Sequence, residues 1–202
     1  NYVSGNNREN NGDARNRNNV IQVQIPDGEV IKYIAAGRYH SLAVTTEGKV
    51  YAWGLNNYGQ LGINSQINTS TPTLVRALNN AGAQLTDIIM VAAGETWSMA
   101  LTNTGSVYTW GRNDLGQVGD NTGNAMQIFP VRLRGARGGG YMGNVIDIAA
   151  GDHHGLVVRS DGSVYSWGVS SDGRLGLGSG NVGDNNRKLA PEKVMKDAQT
   201  GF

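Results

Sequence analysis

One segment occurs three times in this chain at a constant interval. The copies read IAAGRYHSLAVTTEGKVYAWGLNNYGQLG (34–62), VAAGETWSMALTNTGSVYTWGRNDLGQVG (91–119) and IAAGDHHGLVVRSDGSVYSWGVSSDGRLG (148–176). Their first shared glycines are Gly37, Gly94 and Gly151, so the period is 57 residues. Apolar and polar residues alternate within each copy, which is the period of a strand and not of a helix. A fixed period of this length with strand-type alternation predicts β-units that stack on one another.

Each copy contains the parts of a small antiparallel sheet. A short apolar run ends in Ala-Ala-Gly, where small residues permit close approach of two backbones. A second strand, a glycine-containing turn (TEGK, NTGS or SDGS) and a third strand (VYAWG, VYTWG or VYSWG) follow. A polar loop then leads to a fourth strand that begins with proline or polar residues. Four short strands in each unit are typical of a β-propeller blade.

Composition agrees with short strands and excludes several classes of function. The 202 residues include 30 glycines and no cysteine, and the formal net charge is +1. Without cysteine the chain forms no disulfide, thiolate nucleophile or Cys-based zinc site. A charge this small supplies no general field for nucleic acid or an acidic membrane, which argues against both as partners. No apolar run approaches the roughly 20 residues that span a bilayer.

The repeat divides the chain into five predicted intervals. Residues 1–19 are predicted to be a polar leader or the remnant of a preceding repeat. Residues 20–33 are predicted to contain the terminal strand of that repeat, in the alternating sequence NVIQVQIPDG at 19–28. The three repeats are then residues 34–90, 91–147 and 148–202. The connections within this frame differ most at residues 79–86, 134–144 and 178–188. Variable loops on a constant frame usually carry the specificity of repeat proteins.

The shared pattern is (V/I)AAG-x-x-(H/W)-(S/G), then G-x-VY-x-WG, then G-(Q/R)-(L/V)-G. It closely resembles the repeat of the regulator-of-chromosome-condensation (RCC1-like) family, and the match covers about residues 33–197. The resemblance implies an all-β fold of RCC1-like β-propeller blades, with about three complete four-stranded blades and a partial one. Propellers of this family have seven blades. We therefore expect a fragment of a larger propeller, or a chain that closes a ring with blades from another copy.

The resemblance also implies a range of functions. Members of this family act as guanine-nucleotide exchange factors, chromatin binders and modules of ubiquitin ligases. The first hypothesis for this chain is a non-catalytic scaffold for protein–protein interaction, with no cofactor and with its specificity in the variable loops. Exchange activity on a small GTPase is the second, although the β-wedge insertion of the family's exchange factors is not recognisable here. Chromatin binding is the third, and only the segment 132–137 and the polar leader offer it positive charge.

Residues at positions that hold glycine, tryptophan or histidine in every copy are assigned to the frame of the blades. They are Gly37, His40, Trp53, Gly54, Gly94, Trp97, Trp110, Gly111, Gly151, His154, Trp167 and Gly168. His40 and His154 share their position with Trp97, and a position that accepts tryptophan fills space and bonds backbone groups of a neighbouring blade; it is not a general base or a metal ligand. Ser41 beside His40 is no nucleophile, because adjacent strand residues point to opposite faces. No full calcium-loop pattern occurs, so no metal site and no catalytic residue is predicted.

Residues that differ between the copies are the candidates for binding a protein partner, of which a small GTPase is one. In the family's exchange factors, loops at the ends of the AAG-x-x-H segment bind the partner, and the positions that match by place are Arg38, Tyr39, Glu95, Thr96, Asp152 and His153. The glycine-rich connection GARGGGYMG, residues 135–143, lacks the Lys-Ser/Thr of a phosphate loop. It is either a plain connection between blades or a loop that offers an acidic or phosphate-bearing partner Arg132, Arg134, Arg137 and Tyr141.

Overall fold

Twelve strands pair into three separate four-stranded antiparallel sheets. They come from a computed structural model that describes residues 22–26, 28–76, 84–178 and 186–195. The first sheet contains β1 (Ile31–Ala36), β2 (His40–Thr45), β3 (Val50–Gly54) and β4 (Thr69–Leu74). The second contains β5 (Ile88–Ala93), β6 (Trp97–Thr102), β7 (Val107–Arg112) and β8 (Met126–Arg132). The third contains β9 (Val145–Ala150), β10 (His154–Arg159), β11 (Val164–Val169) and β12 (Arg187–Lys193).

Within each sheet the strands lie side by side in chain order, and every neighbouring pair is antiparallel. This meander of four strands is the blade of a β-propeller. The predicted all-β fold with three complete blades is confirmed. Two short 3₁₀ turns, Ala136–Gly138 and Ser171–Gly173, lie in the connections between strands.

The blades begin at Ile31, Ile88 and Val145, which keeps the period of 57 residues. Each blade therefore starts three residues before the interval that the sequence predicts for it. In the interval 20–33, residues 22–26 are not in a strand, and Ile31 already belongs to β1 of the first blade. Residues 1–21 and 27, in the first two predicted intervals, and residues 196–202, at the end of the last one, lie outside the described residues.

The apolar core lies between the blades, where it forms two clusters. The first cluster joins blade one to blade two around Leu42, Leu61 and Trp110. The second joins blade two to blade three around Met99, Leu133 and Trp167. Because each cluster draws residues from two sheets, a blade is stable only with its apolar faces covered by neighbours.

The first strands of successive blades contact one another, as expected for the strands nearest a propeller axis. The residue after each of these strands is a glycine, because its surroundings leave no room for a side chain. A Cβ atom on Gly37 would lie 2.5 Å from the carbonyl oxygen of Gly94, and one on Gly94 would lie 2.6 Å from that of Gly151. Distances this short leave no room for a side chain, so glycine lets the three loops that follow these strands pack directly together.

Candidate functional site at the axial loops

Three loops connect the first and second strands of the blades, and we call them the axial loops: residues 37–39, 94–96 and 151–153. Backbone hydrogen bonds join them in sequence. The amide of Arg38 donates to the carbonyl of Gly94 at 3.3 Å, and the amide of Glu95 donates to the carbonyl of Asp152 at 3.2 Å. The structure therefore brings together the six loop residues that the sequence proposes for partner binding.

A charged network crosses the axial loops from blade one to blade three. Arg38 Nη1 lies 2.7 Å from Glu95 Oε1, and His153 Nε2 lies 3.4 Å from Glu95 Oε2. The Arg38 side chain is 57 % exposed, whereas the Glu95 side chain is only 15 % exposed. The Arg38 guanidinium also lies over the ring of Tyr39, 5.2 Å from the ring centroid. Glu95 thus holds two cationic or ionisable groups from the neighbouring blades in place.

The remaining members of the set differ in exposure. Tyr39 is 44 % exposed, and Asp152 also lies at the surface. Thr96 is 4 % exposed, so its side chain lies beneath the surface and is not offered to a partner. Five of the six predicted residues therefore contribute side chains to one polar surface with charges of both signs.

Two charged residues beside the axial loops were missed by the sequence analysis. The amide of Arg112 donates to the carbonyl of Thr96 at 2.9 Å, which places it directly against the second axial loop. Its guanidinium binds Asp114 through two hydrogen bonds of 2.8 and 2.6 Å. Burial raises the pKa of Asp114, but the hydrogen bonds from Arg112 and Gln117 outweigh it and hold that pKa below its usual value.

A signal for Arg112 does exist in the sequence. The residue after each Trp-Gly pair is Leu55 in the first copy, Arg112 in the second and Val169 in the third. A charge at a position that is otherwise apolar is the kind of difference that singled out the axial loops. Arg112 also lies over the ring of Tyr58, 4.9 Å from its centroid, so the charged surface extends outward along the first two blades.

The second candidate surface lies elsewhere. The first strand of each blade runs from one end of the blade to the other. The connection between β8 and β9 lies where a first strand begins, and the axial loops lie where the first strands end. Tyr141, 54 % exposed, has the guanidinium groups of Arg132 and Arg134 at 4.5 and 4.9 Å from its ring centroid. The Arg137 side chain is 87 % exposed and lies 3.7 Å from Glu192.

A cavity of about 430 Å³ adjoins this connection. Its lining includes Asn121, Arg137, Lys188 and Glu192. The structure therefore separates the sequence-predicted binding residues into two groups at opposite ends of the blades. Of the other variable connections, residues 79–83 and 179–185 lie outside the described residues.

The recurrent histidine position has an unexpected partner. His40 is fully buried, and its Nε2 lies 2.7 Å from the hydroxyl of Ser98 in the second blade. Ser98 Oγ donates to the carbonyl of Gln60 at 2.8 Å, so His40 Nε2 carries the hydrogen and donates it to Ser98. Burial lowers the pKa of His40 to about 4. The predicted contact with backbone groups is made instead by Trp97, whose indole donates to the carbonyls of Gly151 and Asp152 at 3.1 and 3.0 Å.

The recurrent tryptophans lie at the blade interfaces. Trp110 donates from Nε1 to the carbonyl of Gln60 at 2.8 Å, and Trp167 donates to that of Gln117 at 2.7 Å. Both carbonyls belong to the preceding blade. Trp53 is 5 % exposed and stands at the same place in blade one. Trp110 and Trp167 thus join their blade to the one before it by apolar packing and by one hydrogen bond.

Two further observations concern the described part of the chain alone. It contains no group of three or more His, Asp or Glu side chains placed to bind a metal ion. None of its helical segments has the length and apolar character needed to traverse a lipid bilayer.

Comparison with known proteins agrees with this geometry. A family model described as the RCC1-like domain matches residues 2–201. The Ultraviolet-B receptor UVR8 of Arabidopsis thaliana is 32 % identical over 185 residues, which are 91 % of this chain and 38 % of that protein. Protein RCC1 of Candida albicans is 36 % identical over an alignment of 173 residues that covers 73 % of this chain and 34 % of that protein.

Solved structures give the same result. Prp20p from Saccharomyces cerevisiae, reported with its binding properties to Gsp1p and histones, matches with a TM-score of 0.65 and 29 % identity over 84 % of this chain and 39 % of its own. Human WBSCR16 matches with a TM-score of 0.65 and 27 % identity over 88 % and 42 %. The chain therefore spans well under half the length of these relatives. The resemblance inferred from the repeat is confirmed, and this chain belongs to the RCC1-like domain family.

Proposed function

We propose that this chain is a non-catalytic protein-interaction module whose partner binds at the axial loops. One observation carries the proposal: the variable residues of the three axial loops come together at one end of the blades, where Arg38, Glu95 and His153 form a single polar network. The residues that keep the repeat are committed to packing between blades. Specificity then belongs to the side chains that differ from blade to blade.

The exposed part of this surface has the chemistry of a protein contact. Tyr39 and Arg38 stack on each other at the edge of the network, and both types of residue are enriched among those that dominate binding energies. Glu95 fixes Arg38 from below, which lowers the entropy lost when a partner orders that side chain. Asp152 is exposed and adds a negative charge, and the Arg112–Asp114 ion pair adds one charge of each sign, so a partner of mixed charge is favoured over a uniformly acidic one.

The buried polar groups support a role without catalysis. His40 is the sole fully buried histidine of the described residues, and its Nε2–H is already donated to Ser98. Its pKa of about 4 keeps it neutral and weakly basic at physiological pH. The unprotonated nitrogen of His40 is then Nδ1, and this atom is buried where no substrate reaches it, as a general base would require.

The experiment measures binding of the purified chain to candidate partners by titration calorimetry. The first candidate is a small GTPase, and histones are the second. We expect Arg38→Glu and Tyr39→Ala each to weaken binding about tenfold or more. Tyr141→Ala is the matched control, because it removes an exposed tyrosine (54 %, against 44 % for Tyr39) at the opposite end of the blades. Loss of binding in the Tyr141 variant alone would move the binding site to the β8–β9 connection.

Guanine-nucleotide exchange on a small GTPase is the second candidate function. Two comparisons favour it: the identity to Protein RCC1 of Candida albicans, and the structure of Prp20p with its reported binding to Gsp1p. An exchange factor acts by deforming the nucleotide site of its partner, so it too needs no catalytic side chain of its own. Release of a fluorescent guanine nucleotide from a small GTPase, with and without this chain, separates exchange from simple binding. Binding without faster release supports the interaction module.

A further inference from the structure

The cavity of about 430 Å³ beside the β8–β9 connection is enclosed by residues of two blades. Asn121 lies in the β7–β8 connection and Arg137 in the β8–β9 connection, and the remaining lining residues belong to β12, the outermost strand of blade three. The amide of Asn121 donates to the carbonyl of Leu189 at 2.9 Å and so joins the two blades at the cavity wall. We call this space the β12 cavity; it is part of an internal blade interface.

The β12 cavity concentrates positive charge. Of the described residues that line it, Arg137, Arg187 and Lys188 are cationic and only Glu192 is acidic. Three positive charges against one negative charge leave an excess of +2, whereas the whole chain has a net charge of +1. Because a cleft with walls of one sign focuses its electric field, the cavity attracts anions although the chain as a whole does not.

The cationic groups of the cavity are only partly neutralised by the protein. Lys188 is half-buried, and its ammonium group has no hydrogen bond or ion pair with any of the described residues. Arg187 donates from Nη1 to the backbone carbonyl of Asp114, a neutral acceptor that fixes the side chain in place. The Arg137 side chain is 87 % exposed and lies 3.7 Å from Glu192, so this ion pair is weak. Donors of the cavity therefore remain available to an anionic ligand.

The interface between blades one and two has the same backbone frame at this place. Asn64 is the counterpart of Asn121, and its amide donates to the carbonyl of Ile128 at 3.1 Å, as that of Asn121 does to Leu189. Both asparagines have a positive φ, of 57° and 59°. The backbone that forms the cavity wall therefore belongs to the repeat.

The side chains on this frame do not repeat. Strands β8 and β12 pair with their neighbours in the same register, with the same irregularity after Gln127 and after Lys188. Blade three has Arg187, Lys188 and Ala190 at the positions where blade two has Met126, Gln127 and Phe129. Two neutral side chains are thus replaced by cations and a phenyl ring by a methyl group, so blade three offers both charge and space.

We propose that the β12 cavity binds a small molecule that carries a phosphate group. The forked guanidinium groups of Arg137 and Arg187 match the oxygen atoms of a phosphate, and the ammonium group of Lys188 adds a further charge. An excess of two positive charges suits a phosphate dianion better than a single carboxylate. The cavity is larger than a phosphate ion, and Leu189 and Ala190 form part of its wall, so the rest of the ligand is a small and partly apolar group.

Titration calorimetry of the full 202-residue chain with inorganic pyrophosphate, in a buffer without divalent cations, tests the proposal. We expect saturable binding at one site with a Kd on the order of 0.1–1 mM, and binding of citrate that is about tenfold weaker. Lys188→Gln introduces the residue that blade two has at this position and should weaken pyrophosphate binding about tenfold. Lys193→Gln is the matched control, because it removes the same charge from an exposed lysine of β12 outside the cavity lining. It should change the Kd less than about twofold.

Two further variants keep the proposal open to refutation even if Lys188→Gln disturbs folding. Ala190→Phe introduces the ring that blade two has, fills the cavity without changing its charge, and should abolish binding. Glu192→Gln removes the acidic residue of the lining and should tighten binding about threefold, a gain that misfolding cannot imitate.

Three results would overturn the proposal. They are the absence of saturable binding of pyrophosphate, equally tight binding of citrate, and equal losses in the Lys188→Gln and Lys193→Gln variants. Because none of the substituted residues belongs to the axial loops, such a result would leave the proposed function untouched.

Discussion

His40 in the first blade donates a hydrogen bond from Nε2 to the hydroxyl of Ser98 in the second blade, 58 residues away, at 2.7 Å. Ser98 Oγ in turn donates a hydrogen bond to the carbonyl of Gln60 at 2.8 Å, and that carbonyl also accepts a hydrogen bond from Trp110. Four residues from two blades thus share one buried network. Because a buried network of this kind is costly when incomplete, it makes the packing of the two blades specific.

The first prediction concerns pH. The pKa of His40 is about 4 in the folded chain and near 6.5 when exposed, so the unfolded state takes up a proton first as the pH falls. The stability that depends on neutral His40 is complete above pH 6.5 and is lost between pH 6.5 and pH 4, to the extent of about 3 kcal/mol. Urea unfolding at pH 7, 6, 5 and 4.5 measures it. His40→Gln has no titrating imidazole and should show a clearly shallower dependence; equal slopes for the two proteins would contradict the assignment.

The second prediction concerns Ser98. Ser98→Ala leaves the Nε2–H of His40 buried without an acceptor, and we expect the free energy of unfolding to fall by about 1–3 kcal/mol. Ser163→Ala is the control, because the hydroxyl of that serine donates to Asp161 within an exposed turn and not across a blade interface. Denaturant unfolding of the three proteins gives the difference. A Ser98 variant as stable as the parent would show that the network contributes nothing net.

The third prediction concerns the tryptophans at the blade interfaces. Trp110 is 0 % exposed and lies in the cluster that joins blades one and two. Trp110→Ala should lower the free energy of unfolding by about 3–5 kcal/mol, because it leaves a cavity and removes one of the two hydrogen bonds that the Gln60 carbonyl accepts. Ile67→Ala also removes a large apolar side chain, but Ile67 is 75 % exposed and its loss should change little. An unchanged melting temperature for Trp110→Ala would refute its role in the core.

The fourth prediction concerns the glycines of the axial loops. Gly94→Ala places a Cβ 2.0 Å from Nε1 of Trp97 and 2.6 Å from the carbonyl of Gly151, so the Trp97 ring and the third axial loop must both move away. We expect a loss of about 1–3 kcal/mol and a shift of the backbone amide NMR signals of Arg38 and Glu95. In Gly123→Ala the new methyl group meets nothing within 4 Å, and both observables should stay as they are. The same NMR shifts in both variants would mean that close packing of the loops is not the cause.

Most of the fold could be predicted from the sequence because contacts between blades repeat with the blades. One blade shows where Trp110 belongs, and the other two copies show that the position is structural. The intervals taken from the repeat begin three residues after the first strands of the blades. The recognisable motif starts inside the first strand, after opening residues such as Ile31 and Ile88. A shared sequence motif and a hydrogen-bonded strand need not start together.

The candidate site was predictable only in part. Its location followed from comparing what differs between the copies, which led to Arg38, Glu95 and His153. The link through Glu95 and the neighbouring pair of Arg112 and Asp114 depend on side-chain directions in loops from different blades, and no period encodes these. The partner of His40 was also missed, because a hydroxyl on the next blade and a backbone carbonyl are equally good acceptors for an imidazole.

Residues that face each other across a blade interface, such as His40 and Ser98, limit how an array of blades can lengthen by duplication of one blade. A tandem copy of blade one would place a His40 against a new Ser41 and then the copied His40 against Ser98, so both junctions would be satisfied. A tandem copy of blade two would place Trp97 opposite a new Ser98, whereas the equivalent residue of blade three is Gly155 and Trp97 there packs edge to face on Trp167. Lengthening the array at blade one is therefore tolerated at once, whereas lengthening it at blade two requires a compensating mutation in the inserted repeat.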